Sequence, residues 1–385
     1  MGEAVMSSYS KQVSDLKHVD SVGMFCGTEH KEWSDALLDI PHDVYHTPAY
    51  GEVCTFNQSN QTSCCYVWRK GDFVGLIPLI FSQLPQEVEQ TVGCGFDGVS
   101  PYGYGGPIVW DKAANKPVSS EVMQQFMNDF KNDGKKIGLI AAFLRGHPVL
   151  SSAYHVVKSQ DGVGSNGSNE INTDTNSGNT YAIKIDRPVS EILGSYRSSH
   201  KRSIKKLEKE PGLRLVWDEW NDLTYFVPIY HDNMTRLEAR SYYFFDLGYF
   251  VALKEKLKDM VHLLSVYNGD VYIGGVCFFV TNGIIQYHLP ACVDSWRNAG
   301  LPKVLIHELV KWGARNGDHL VHLGGGVGGQ EDSLAYFKNG FTEYHLPFRT
   351  YKVVLDATKY SKACQDLSGG KDLQSSSFFP AYRAS

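Results

Sequence analysis

Apolar runs of strand length alternate with longer amphipathic stretches along most of this chain. Residues 32–38 have the short amphipathic pattern of a helix, and His46-Thr47-Pro48-Ala49-Tyr50 reads as a turn into another. Two apolar runs, 64–69 and 73–81, flank Lys70-Gly71-Asp72, which predicts a hairpin. Pro78 has no N–H for a ladder, so it calls for a bulge, an edge or a strand end. A loop of glycines and aromatics spans 100–108, followed by a helix over 118–132 that stops at Asp133-Gly134 and a strand over 137–144.

The pattern vanishes over 159–180, where almost no large apolar residue occurs. Such a segment cannot bury enough surface to offset its ordering entropy, and it reads as a flexible insertion. Beyond it, 189–210 predicts one very basic helix that Pro211-Gly212 ends. A strand at 213–217 and helices at 222–235 and 249–260 follow. Strands at 262–267, 272–280 and 284–289 are separated by Asn268-Gly269-Asp270 and Thr281-Asn282-Gly283, which are hairpin turns. A helix over 302–316 is capped by Gly317, and strands at 320–323 and 348–355 complete the series. The expected class is α/β (α+β): two tandem units, each a mixed, largely antiparallel sheet flanked by helices. The expected divisions are an irregular leader at 1–30, a first domain at 31–185, a second at 186–356 and a polar tail at 357–385.

Composition narrows the chemistry. A net charge of −5 over 385 residues gives no global basic field, so any nucleic-acid contact must be a local patch. The eight cysteines show no C-x-x-C spacing, so neither a zinc finger nor a redox pair is expected, and no metal is assigned. No signal-peptide pattern and no apolar run approaching about 18 residues is seen. The simplest location is the cytosol, with reduced thiols.

The most informative stretch is VHLGGGVGGQEDSLAYFKNGF, residues 321–341. Gly324, Gly325, Gly326, Gly328 and Gly329 remove side chains and permit positive φ, so a ligand can approach the backbone. Lys338 follows on a short amphipathic turn and places a cation beside that opening. The arrangement suits an anionic or acyl-bearing ligand. Neither the P-loop nor the dinucleotide fingerprint is met.

Taken in order, the basic SSHKRSIKKLEK, the aromatic-rich FVPIYHDNMTRLEARSYYFFDLGYFVAL, the meander HLLSVYNGDVYIGGVCFFVTNGIIQYHL, LIHELVKWGARNG and LGGG…DSLAYFKNGF resemble the FemABX-like branch of the GNAT acyltransferase superfamily. The resemblance is clearest over about 190–350, with HTPAY and SPYGYGGPI carrying it in the first half. It implies tandem GNAT-like domains and amide-bond formation, with an aminoacyl-tRNA or an acyl-CoA as donor, no bound cofactor, and an amine as acceptor. One departure stands out. The stretch matching the CoA-binding Q/R-x-x-G-x-G/A is Arg297-Asn298-Ala299-Gly300-Leu301-Pro302, where proline removes an N–H that would bind pyrophosphate.

The resemblance aligns Lys338 with the lysine of the family's FK-x-G-F motif, placing it to stabilise an oxyanion or bind a phosphate. Tyr287 and His288 adjoin on the last meander strand, and alternation turns one of them to the cleft. His288 is the candidate base and Tyr287 a candidate donor to the carbonyl. Arg236, Arg240 and Tyr243 fall where the family binds its acceptor. Tyr102, Tyr104, Gly105 and Gly106 are candidates for a groove wall or a tight turn. The basic helix, 197–209, is the candidate tRNA contact. A CoA-dependent N-acyltransferase and a non-catalytic GNAT-fold binding protein are the alternative readings.

Overall fold

The computed structural model describes residues 23–150, 172–326, 332–367 and 378–384. It divides into two compact units, one of Met1–Ser177 with Phe348–Ser385 and the other of Gly178–Pro347. The second unit therefore runs over 178–347 where 186–356 was expected, and the segment after it belongs to the first unit. The chain enters the second unit partway along a strand and leaves it partway along another.

The first unit opens with β1 (Gly23–Gly27), α1 (Lys31–Leu38), α2 (Pro48–Cys54), β2 (Gln61–Lys70) and β3 (Phe73–Gln83). It continues with α3 (Gln86–Val92), β4 (Phe96–Val99), β5 (Ile108–Asp111), β6 (Lys116–Pro117), α4 (Ser120–Lys136) and β7 (Leu139–Arg145). The second holds most of β8 (Asn172–Lys184), then α5 (Val189–Ser195), α6 (Ser198–Leu207), β9 (Leu213–Trp217), α7 (Leu223–Arg236) and α8 (Leu247–Leu257). There follow β10 (Val261–Asn268), β11 (Val271–Thr281), β12 (Ile284–Cys292), α9 (Asp294–Ala299), α10 (Leu301–Asn316), β13 (Leu320–Gly325) and α11 (Ser333–Lys338). The strand β14 (His345–Val354) returns the chain to the first unit, which ends with α12 (Ala357–Leu367).

Within the first unit the strand order is β1-β2-β3-β4-β7-β14, antiparallel except for the parallel pair β4 and β7. In β2 the alternation is clean. Cys64, Tyr66 and Trp68 enter the cluster under α4, while Cys65 and Val67 enter the one under α1. Burial on both faces is why the sequence reads as a continuous apolar run. Helix α4 answers with Met123, Phe126, Met127 and Phe130, a stripe at helical spacing. Each such side chain contributes about 1.5–3 kcal/mol on full burial. Pro78 pairs with Cys65 in mid-sheet. On the opposite side of β3, β5 covers residues 73–76 and β4 covers 80–83, so Pro78 occupies the gap between them, an edge inside a sheet.

Within the second unit the order is β8-β13-β12-β11-β10-β9, again with one parallel pair, β12 and β13. Helix α10 crosses between those two strands, as α4 crosses between β4 and β7. Both units thus repeat one motif, an antiparallel meander followed by a helix and a parallel strand, and the expected tandem α/β architecture is present. Gly317 ends α10 with φ +82°, the left-handed cap read from the sequence.

Four sequence-based expectations are corrected. Residues 189–210 form two helices, because Tyr196 is extended (ψ 155°) and buried against Phe341 and His307. Part of the leader, Gly23–Gly27, is a strand antiparallel to β2. Residues 159–171 of the expected insertion lie outside the described residues, but from 172 onward the chain is β8, of which Thr180–Lys184 pair with β13. The tail is no polar appendage. Tyr360, Ala363 and Cys364 on α12 bury against Leu84, Val88, Ile140 and Val354, and Tyr382 joins them. Asp97 on β4 accepts from Tyr382 Oη and Arg383 Nε. Among the described residues, no helix is long and apolar enough to cross a membrane.

Candidate active site

The parallel pairing of β12 and β13 is short. It joins Ile284 to Leu320, Ile285 to Val321 and Gln286 to His322, and ends there. Beyond that point β12 remains bonded to β11 as far as Cys292, and β13 to β8 as far as Gly325. The two strands therefore part in the middle of the sheet. Both lose register where they part: β12 against β11 at His288, β13 against β8 at Leu323. Bulges of this kind re-aim side chains. The last joined rung is a buried polar pair, with His322 Nδ1 donating to Gln286 Oε1 at 2.8 Å. Neither residue was singled out from the sequence. Their signal is there, a polar residue in the interior of each of two apolar strands.

Tyr287, His288 and Leu289 form one lip of the split, and Leu323, Gly324 and Gly325 the other. Gly324 has φ +71°, and a Cβ on Gly325 would lie 2.8 Å from the Asn179 carbonyl oxygen. Both positions thus require glycine. Gly326 follows at the strand end, while Gly328 and Gly329 lie outside the described residues.

Lys338 reaches this lip. Asp332 caps α11, its carboxylate accepting from the Ala335 N–H at 2.8 Å. From the last turn Lys338 Nζ donates to the Gly325 carbonyl oxygen at 2.7 Å. The residue is 7 % exposed. Burial lowers its pKa to about 7 against the weaker upward pull of Asp332.

The other lip separates the two candidates on β12. Tyr287 is partly buried and packs against the main core cluster of the second unit. Burial pushes its pKa well up, so the phenol remains a protonated donor. His288 lies instead against Phe279, ring centroids 4.2 Å apart. Burial lowers its pKa to about 3, which keeps the imidazole neutral.

The remaining candidates have other partners. Arg236 Nε lies 3.4 Å from Asp294, which also binds Arg297. Arg240 is exposed and precedes a short 3-10 turn, where the Tyr243 carbonyl accepts from Tyr230 Oη. Asn233 fastens α7 to the end of β12, donating to the Cys292 carbonyl at 3.0 Å.

In the first unit the loop over 100–107 is braced internally. His46 Nδ1 accepts from the Asp43 N–H, so its Nε2–H donates to the Gly106 carbonyl at 3.1 Å. Tyr50 Oη donates to the Tyr102 carbonyl, and Tyr104 packs edge-on to Tyr45 and Phe348. A Cβ on Gly105 would meet the Tyr45 carbonyl oxygen at 2.9 Å, and one on Gly106 the Arg145 carbonyl oxygen at 2.3 Å. Beneath them His147 and Asp43 form a fully buried pair at 2.8 Å. These contacts hold the loop in place.

Known proteins share this framework. Residues 194–338 match the family model described as an acetyltransferase (GNAT) domain, a match that ends on Lys338. No curated protein matches the sequence. A crystal structure of FemX is similar with a TM-score of 0.63 and 12% identity, over 88% of this chain and 98% of that one. The C-terminal domain of a protein described as "Putative Lysylphosphatidylglycerol Synthetase from Agrobacterium fabrum" is similar with a TM-score of 0.50 and 11% identity, over 88% and 97% of the two chains. The chain therefore has the tandem GNAT-like fold of FemX, as its sequence led us to expect. The domain match supports an acyltransferase.

Proposed function

We propose that the second unit forms an amide bond at the split between β12 and β13, moving an aminoacyl group from aminoacyl-tRNA to the amine of a small-molecule or cell-envelope precursor. The observation that carries this reading is Lys338, a buried amine hydrogen-bonded to a glycine carbonyl on one lip, with Tyr287 our candidate on the strand of the other. The acceptor nitrogen attacks the donor's carbonyl carbon and a C–N bond forms. The carbonyl oxygen takes the negative charge, where Lys338 and Tyr287 donate to it. The adduct then collapses, the C–O bond to the ribose breaks, and a proton from the former amine passes to the departing ribose oxygen. His288 remains our candidate base, kept neutral by its burial. Arg236, Arg240 and Tyr243 remain our candidates for the acceptor, and the loop of Tyr102, Tyr104, Gly105 and Gly106 for its wall.

Two features favour tRNA over CoA. Pro302 deprives the first turn of α10 of an amide N–H, and α6 exposes Arg202, Lys205 and Lys206, with Lys209 just beyond. We place the reaction in the cytosol, where the eight thiols stay reduced. The CoA reading has one feature of its own. Gly300 is left-handed and opens α10, a 16-residue helix whose remaining N-terminal amides could still bind pyrophosphate. The test is to incubate the protein with charged tRNA or acyl-CoA and a panel of amines, following amide formation by mass spectrometry. Product from charged tRNA that ribonuclease abolishes supports the proposal. Product from acyl-CoA alone replaces the donor, and none from either leaves a binding protein.

A further inference from the structure

We propose that Arg197 and His200, at the start of the basic helix α6, are positioning residues that hold Lys338 in the split. The proposal rests on the acyl-transfer reading only for its consequence on turnover. Helix α11 has six residues, too few to be stable alone, and its last carbonyls have no partners within the helix. The N–H groups of Asn339, Gly340 and Phe341 meet the carbonyls of 335, 337 and 338, and Arg197 and His200 add side-chain donors to those of 336 and 337. Arg197 Nη1 donates to the Tyr336 carbonyl at 3.2 Å, and its guanidinium lies over the Tyr336 ring at 3.9 Å. The Arg197 N–H donates to the Gly340 carbonyl at 2.8 Å. His200 faces the Phe337 carbonyl with Nε2 at 3.0 Å, so that nitrogen carries the proton.

Lys338 lies between these anchored carbonyls, at 336 and 337 before it and 340 after it. The rings close the arrangement, with His200 4.5 Å from Phe341 and 5.4 Å from Phe337 by centroid. Even Gly340 is fixed by it, since a Cβ there would lie 2.4 Å from His200 Nε2. The far side of the same helix is tied to α10. Lys303 Nζ donates to Ser203 Oγ at 3.0 Å, and Lys311 pairs with Glu208 at 2.6 Å. Thus α6 is a strut between α10 and α11. Two residues that the sequence offers to RNA are committed to the protein.

The test reads Lys338 directly and needs no substrate. The full-length protein is labelled with acetic anhydride across pH, and the Lys338 peptide is followed by mass spectrometry. In the wild type its labelling should titrate near the depressed value of about 7. In Arg197→Ala and His200→Leu, α11 loosens and Nζ hydrates, so the midpoint should rise by about one unit or more toward that of an ordinary lysine. His200→Gln, which keeps an N–H toward Phe337, should stay near the wild type, as should Lys205→Ala on the exposed face. Should Arg197→Ala fail to fold, Arg197→Lys, which loses the planar fork, takes its place. An unchanged midpoint in both Arg197 and His200→Leu variants, or an equal shift in Lys205→Ala, would overturn the proposal. The shifts without any amide product would uphold it while removing the acyl-transfer reading.

Discussion

Lys338 bears a charge that its surroundings disfavour. Its folded pKa of about 7 lies below the value of about 10.4 for an unfolded lysine. Between those values the unfolded chain binds more protons, so stability rises with pH across that window. Below pH 7 the full cost applies, roughly 3–5 kcal/mol. Lys338→Met should therefore gain stability relative to wild type at pH 6 and lose that advantage by pH 10, as read by urea denaturation at both. An equal difference at the two pH values contradicts the burial argument. The same titration governs chemistry. If the ammonium is the donor to the oxyanion, kcat in the Michaelis complex should fall as pH rises through about 7. The lysine and its glycine lip were legible in LGGG and FKNGF. The bulge at His288 was not legible, and it shifts the alternation on which a strand reading of Tyr287 and His288 depends.

At the scale of elements, the strands were legible because turn residues punctuate them, Asn268-Gly269-Asp270 being one example. The break between α5 and α6 was not, since it comes from burial of Tyr196 against Phe341, distant in sequence, and YRSSHK contains no helix breaker. The split was also hidden, because it is a relation between two strands. Its last rung gives it an energetic signature. Gln286→Leu leaves His322 Nδ1 without the acceptor it has at 2.8 Å, in a fully buried position. The loss should be about 1–3 kcal/mol by chemical denaturation, and no loss would show the rung to be incidental.

At the scale of the whole molecule, the tandem units were legible in the repeated order of elements, but their boundaries were not. Periodicity cannot show that a strand begins in one unit and ends in the other, as β8 and β14 do. The C-terminal segment was missed because its buried apolar residues, Tyr360, Ala363, Cys364, Ala381 and Tyr382, are few and scattered among polar ones. Arg383→Ala would leave the Asp97 carboxylate, 5 % exposed, without its cation. A cost of about 3 kcal/mol is expected in denaturation experiments, and a wild-type midpoint would show the contact to be dispensable. The most direct measurement of all is single-turnover amide formation from charged tRNA by wild type and Lys338→Ala. The wild type should yield an amide that ribonuclease treatment abolishes, and the variant should be slower by about 10²–10³ with an unchanged circular dichroism spectrum. Equal rates would remove Lys338, and with it the split, from the chemistry.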